Sequence, residues 1–141
     1  MDDLDFIPCR DTWSYISQAV PRKQAFRFTP QADLVCGGHL GYLEQGVVVF
    51  RRIVWLRETR AAVVFDEFFS DGKKAHEFSQ TFHFGEGSAE LRSASVFWSG
   101  KNARAALHCL GDVACELFRA PYSTDYNSLK EGDALLVKCR G

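Results

Sequence analysis

An all-β fold, a two-sheet antiparallel β-sandwich with a short N-terminal helix, is predicted by three features of this sequence. From about residue 24 onward, runs rich in Val, Ile, Phe and Tyr succeed one another at the spacing typical of a sandwich or barrel. The breaks between them carry turn residues: "GG" at 37–38, "SDGKK" at 70–74, "GEG" at 85–87 and "SGKN" at 99–102. In 74–84 ("KAHEFSQTFHF"), Phe78, Phe82 and Phe84 fall on one side, and Glu77, Ser79, Thr81 and His83 on the other. That alternation reads as a half-buried strand with one wet face.

The elements follow in order. Residues 11–20 ("DTWSYISQAV") have the makings of a short helix, with Asp11 as cap, Trp13, Ile16 and Val20 near one face, and Pro21 as the stop. The chain then divides into an N-terminal segment, 1–23, and a β-sandwich domain, 24–141. Strands are expected near 24–29, 38–43, 46–57, 60–69, 74–84, 88–98, 104–109, 113–119 and 134–139. The runs 47–56 and 61–69 are apolar on both faces, which suits central strands covered from both sides.

Size and charge bound the function. A chain of 141 residues and 15.9 kDa suits one domain with a single core. Its 46% hydrophobic and 25% charged content excludes a disordered tail. A net charge of −1 offers no global attraction for nucleic acid or an anionic membrane. No run reaches the roughly 18 apolar residues of a membrane span. "MDDLDFIPCR" is acidic where a signal peptide is basic, so no export signal is read. The five cysteines (Cys9, Cys36, Cys109, Cys115, Cys139) include no C-x-x-C pair, against a zinc ribbon or a thioredoxin-type site. They read as buried thiols used as small apolar residues, with a Cys109–Cys115 bridge as the alternative.

Two adjacent arginines in "VVVFRRIVWL" (47–56) need a reason. If 46–57 and 60–69 form a hairpin closed by "RETR" with an even loop, Leu56 lies opposite Ala61 and Arg51 opposite Asp66. An odd loop shifts the register and brings Arg52 to Asp66 instead. A carboxylate among "VVF" and "FF" is costly to bury unpaired, and the guanidinium fork is its natural partner. A structural ion pair, Arg51 with Asp66, is therefore expected to fix the register. The second arginine is left to stack on a ring or to face a ligand.

These residues also bear a resemblance. "GGHLGYLEQGVVVFRRIVWLRETRAAVVFDEFF", then "KAHEFSQTFHF", then "YSTDYNSL" is similar to the C-terminal β-sandwich of heparinase II/III-like polysaccharide lyases, over roughly residues 37–141. The family pattern falls on His39 and Tyr42, Arg51 and Arg52, Asp66, His76 with Phe82, His83 and Phe84, and Tyr122, Ser123 and Tyr126. The resemblance implies a bacterial enzyme, periplasmic or secreted, that cleaves acidic polysaccharides by β-elimination. There a base removes the proton beside the uronate carboxylate and an acid, typically tyrosine, protonates the leaving oxygen. The α/α-toroid that supplies the tyrosine has no counterpart here, nor has the family's His-x-His-x-Asp segment. The resemblance therefore implies a non-catalytic domain of a longer lyase, partnered by an upstream α/α-toroid. On that reading His39, Tyr42, Arg52, His83, Tyr122 and Tyr126 are the residues to contact an acidic polysaccharide or oligosaccharide.

Other chemistries find little footing. His39, His76, His83 and His108 are spread over different expected strands, and His76 and His83, which share one, point to its opposite faces, so neither a metal nor another cofactor is expected. There is no G-x-S-x-G, and "GEGSAEL" lacks the lysine of a phosphate loop. Trp13, Trp55, Trp98, Tyr42, Tyr122 and Tyr126 are candidates for stacking on sugar rings, although most aromatic residues are core. "APYSTDYNSL" is the best loop for sugar contact or for docking to another domain. A freestanding carbohydrate-binding module is the alternative function. A complete small enzyme would need a cluster of titratable groups that the sequence does not show.

Overall fold

The computed structural model describes residues 20–126 and 128–141, with the backbone alone at 22–24. The helix expected over 11–20 lies, but for Val20, outside them, as do Cys9 and Trp13. The described chain is all-β and its strand pairs are antiparallel. It divides between Lys74 and Ala75 into two compact units.

The first unit is a four-stranded meander of β1 (Pro21–Phe28), β2 (Ala32–His39), β3 (Val47–Leu56) and β4 (Ala61–Ser70), side by side in that order. The strand expected near 38–43 is not there. The chain instead leaves β2 at His39 and makes a 3-10 turn at Leu43–Gln45, closed by Gly46 in the left-handed region at φ 77°. The displaced strand lies upstream because Gly37 and Gly38 are strand residues, paired with Arg51 and Phe50, and not a break. Gly38 lies so close beneath the Phe50 ring that no Cβ would fit. The "RETR" loop takes the even register, with Leu56 opposite Ala61 and Arg51 opposite Asp66. Nor are both central runs covered from both sides. β4 is an edge strand, and Val64, Phe65 and Phe69 are exposed on it.

The second unit contains β5 (Glu77–His83), β6 (Ser88–Arg92), β7 (Ser95–Ser99), β8 (Arg104–His108), β9 (Ala114–Asp125) and β10 (Ser128–Arg140). They form two sheets, β5-β10-β9 and β6-β7-β8, so the described residues hold three sheets where two were expected. The extra sheet exists because 88–98 is not one strand. The chain turns at Ser93, at φ 53°, and its two halves pair as a hairpin. No glycine or proline marks that turn, so it does not show in the sequence. "APYSTDYNSL" is likewise mostly strand, since β9 runs to Asp125 and β10 starts at Ser128. Residues of β5 alternate in exposure as the 74–84 pattern requires.

The core of this unit is Leu135 and Ala134 at its centre with Val96 and Ala120, all buried. Fully burying one leucine contributes about 1.5–3 kcal/mol. Asp133, on β10, joins the two sheets of the unit. Its Oδ2 accepts the Ala89 N–H of β6 at 2.7 Å and its Oδ1 accepts Arg119 Nη1 of β9 at 2.7 Å.

Candidate functional site

Cross-strand partners in an antiparallel sheet project from the same face, so the registers say which residues share a surface. In the first unit His39 is paired with Val49, which puts it on the face of Arg51. Arg52 projects from the other face. The His39 ring packs edge-on against Tyr42, centroids 5.5 Å apart, and its Nδ1 accepts the Gly41 N–H at 3.2 Å. Partial burial lowers the His39 pKa, which favours the neutral ring at pH 7.

The paired arginines meet paired carboxylates. Arg51 donates through Nε to Asp66 Oδ1 at 2.6 Å and through Nη2 to Oδ2 at 3.1 Å. Arg52 Nη2 lies 2.8 Å from Glu67 Oε2 on the opposite face. Each guanidinium thus has a carboxylate from the facing strand, and neither face of β3 carries an unneutralised charge at this point. Arg57 adds a third pair, donating to both Asp33 oxygens at 2.6 and 2.7 Å and tying the β1–β2 turn to the β3–β4 turn.

Beside His39, Ser70 and the paired carboxylates Asp33 and Asp66, the face that bears Arg51 is apolar. Phe28, Phe26 and Val35 from β1 and β2, Ile53 and Trp55 from β3, and Val64 from β4 all lie on it by register and all are exposed. Phe26 and Phe28 are 74% and 63% exposed, with ring centroids 5.6 Å apart. An exposed apolar strip across four strands is unusual for a surface that faces only water.

In the second unit, His83 and Tyr122 share a face of the β5-β10-β9 sheet but do not converge. His83 is opposite Ala134 and Tyr122 opposite Lys130. At strand geometry that leaves roughly 13 Å along the sheet and about 10 Å across it. The Tyr122 ring lies over Gly132, where a Cβ would sit 2.8 Å from it. Tyr126 stands 95% exposed at the β9–β10 turn. No disulfide joins the described cysteines. Cys109 and Cys115 are hydrogen-bonded neighbours, and burial first, then that contact, pushes the Cys109 thiol up to about 11.

A concave surface lies on β6-β7-β8, where Trp98 alone of the expected candidates falls. The β6-β7-β8 sheet turns its apolar side, Leu91, Val96 and Leu107, inward. Its other side holds a hollow of about 480 Å³. Two cross-strand rows turn their side chains to it, Glu90, Phe97 and Ala106, then Ser88, Ser99 and Arg104, and the row between them, Ala89, Trp98 and Ala105, lines it as well. Alanine and the serines are short beside phenylalanine, glutamate and arginine, and that difference in reach makes the depression. Outside it, Arg92 stacks over Phe97 at 5.3 Å and clasps both oxygens of Glu90 at 2.8 and 2.7 Å. That clasp holds the Glu90 carboxyl below its ordinary pKa. Ser95 Oγ and His108 Nδ1 lie 2.8 Å apart farther along the same face, in the row of Arg92. Arg104 has no carboxylate partner among the described residues.

Sequence reasoning missed this surface because it missed the turn at Ser93. With the hairpin known, the residues of alternate parity in "SAELR", "SVFWS" and "RAALH" share one face. Among the described residues, no group of three metal-ligating side chains gathers. No helix among them is long and apolar enough to cross a membrane.

No family model and no curated protein matches this chain. Among solved structures it is similar to a heparan sulfate lyase, a HepC mutant from Pedobacter heparinus, with a TM-score of 0.73 at 11% sequence identity. The likeness is one of fold. It covers 86% of this chain and 19% of that one, so the chain spans about a fifth of the lyase's length.

Proposed function

We propose that this chain is a non-catalytic β domain of a heparinase II/III-like polysaccharide lyase, which supports the fold of a longer enzyme and contributes to its sugar contacts. The reading rests on the likeness in fold to a stretch of a heparan sulfate lyase. The observation that carries it further is the exposed apolar face of β1-β2-β3-β4, with Phe26, Phe28 and Trp55 in the open. Such a strip suits burial against another domain, and an upstream α/α-toroid is the occupant the family pattern supplies. On this reading β-elimination of an acidic polysaccharide belongs to the parent enzyme. The tyrosine acid and its partner base lie upstream of this chain, and the parent is periplasmic or secreted.

The size of the native gene product tests it. An immunoblot of source cells with antibody raised to this domain should show a band several times larger than 15.9 kDa. A band at the size of the chain would overturn the reading in favour of a freestanding carbohydrate-binding module.

A further inference from the structure

The hollow on β6-β7-β8 has the chemistry of a ligand site separate from the apolar face of the first unit. Its volume of about 480 Å³ falls in the range of roughly 300–1,000 Å³ typical of small-ligand sites. Phe97, 41% exposed, is the one large apolar side chain on this face. A single ring is too little to dock a protein, and there is no ladder of aromatic rings to stack successive bases. One ring beside two serine hydroxyls does match a sugar, whose ring has an apolar face and a rim of hydroxyls.

Charge refines the choice. The one carboxylate lining the hollow, Glu90, already has both oxygens on Arg92. Arg104 is a planar fork with no carboxylate partner among the described residues, and Lys101 sits in the adjoining β7–β8 turn. Strand geometry puts Phe97 and Arg104 about 8 Å apart at their backbones. A sugar ring against the phenyl thus carries its acidic substituent toward the guanidinium, where bidentate pairing is available.

We infer that this hollow binds one acidic pyranose unit of an oligosaccharide, with Phe97 against the ring, Arg104 on its anionic group, and Ser88 and Ser99 on its hydroxyls. The site rests on the geometry above. Only the choice of polymer class rests on the proposed relationship to a polysaccharide lyase.

The test is titration of the full chain with tetragalacturonate, a heparan sulfate tetrasaccharide and neutral maltotetraose, followed by calorimetry and by amide NMR shifts. At least one acidic tetrasaccharide should bind and shift the resonances of Ser88, Ser99 and Arg104, with maltotetraose at least about tenfold weaker. Arg104→Gln should weaken binding about tenfold, as the loss of a charge-assisted hydrogen bond does, and Phe97→Ala should weaken it with an unchanged salt dependence. Arg104 is exposed, so this variant keeps the fold even if the Phe97 variant does not. Binding of tetragalacturonate identifies carboxylate as the anion, and binding of the sulfated sugar alone identifies sulfate. Absence of binding by both acidic sugars overturns the inference, as does full-strength binding by Arg104→Gln. Neither result bears on the parent enzyme, which the immunoblot decides separately.

Discussion

Replacing Asp133 by alanine removes the clasp between the two sheets of the second unit. The carboxylate accepts the Ala89 N–H and Arg119 Nη1, each at 2.7 Å, and its side chain is only 15% exposed. Leaving the Ala89 N–H without a partner costs about 1–3 kcal/mol. The Arg119 pair adds at most about 1 kcal/mol, because that arginine is 57% exposed and water screens it. Asp133→Ala should therefore cost about 2–3 kcal/mol, a fall in Tm of roughly 8 °C for a chain of this size. Urea denaturation followed by circular dichroism measures it. Arg119 first, then the Ala89 N–H, hold the Asp133 carboxyl below its ordinary pKa, against the opposing effect of desolvation. Because the folded pKa is the lower one, the stabilisation is full above about pH 4 and is lost as the pH falls through the folded pKa. The gap between wild type and variant should accordingly narrow as the pH falls below about 4. A variant within about 0.5 kcal/mol of wild type at pH 7, or a gap that does not move with acid, would refute the reasoning.

Four other outcomes are expected. Leu135→Ala, at a fully buried position, should cost about 3 kcal/mol in urea denaturation, and a loss below about 1 kcal/mol would mean the site collapses around the smaller side chain. A double-mutant cycle on Arg51 and Asp66 should give a coupling of about 0–1 kcal/mol, since the arginine is 46% exposed; a value near 3 kcal/mol would show a far drier pair than the geometry implies. Phe26→Ser together with Phe28→Ser should leave the melting temperature of the isolated chain nearly unchanged while reducing its self-association at high concentration, as read by light scattering. A large fall in melting temperature would mean that these rings are packed. Cys109, with its thiol at about 11, should react with iodoacetamide at pH 8 roughly a hundredfold more slowly than free cysteine, by mass spectrometry of timed samples.

The apolar strip on the first unit and the hollow on the second differ in kind. The strip is broad and its charges are internally paired, as Arg51 with Asp66 and Arg57 with Asp33. A surface of that sort gains free energy by burial and discriminates little. The hollow is small and sets an aromatic ring beside serine hydroxyls and one cation left over, which favours a small anionic ligand over an apolar partner.

The sequence by itself determined that the chain is built of strands, because alternation in 77–83 and β-branched runs in 47–56 and 61–70 leave no helical face to bury. It also limited how β3 and β4 pair. With charges only at Arg51, Arg52, Asp66 and Glu67 inside those runs, the registers that leave no charge stranded are few, and the four-residue loop selects one. Gly37 and Gly38 misled because both are strand residues, whereas the glycine-bearing turns at 70–74, 85–87 and 99–102 were legible for the same local reason. The turn at Ser93 was not, because a non-glycine residue at φ 53° leaves no mark in composition. Missing it cost the third sheet and, with it, the hollow. Which strand is an edge was also beyond reach, since Val64 and Phe65 look like core until the order β1-β2-β3-β4 puts them at the border. Gathering Glu90, Phe97 and Arg104 into one surface was a tertiary decision. Residues on three strands become neighbours only through long-range pairing, and no window of local sequence contains that information.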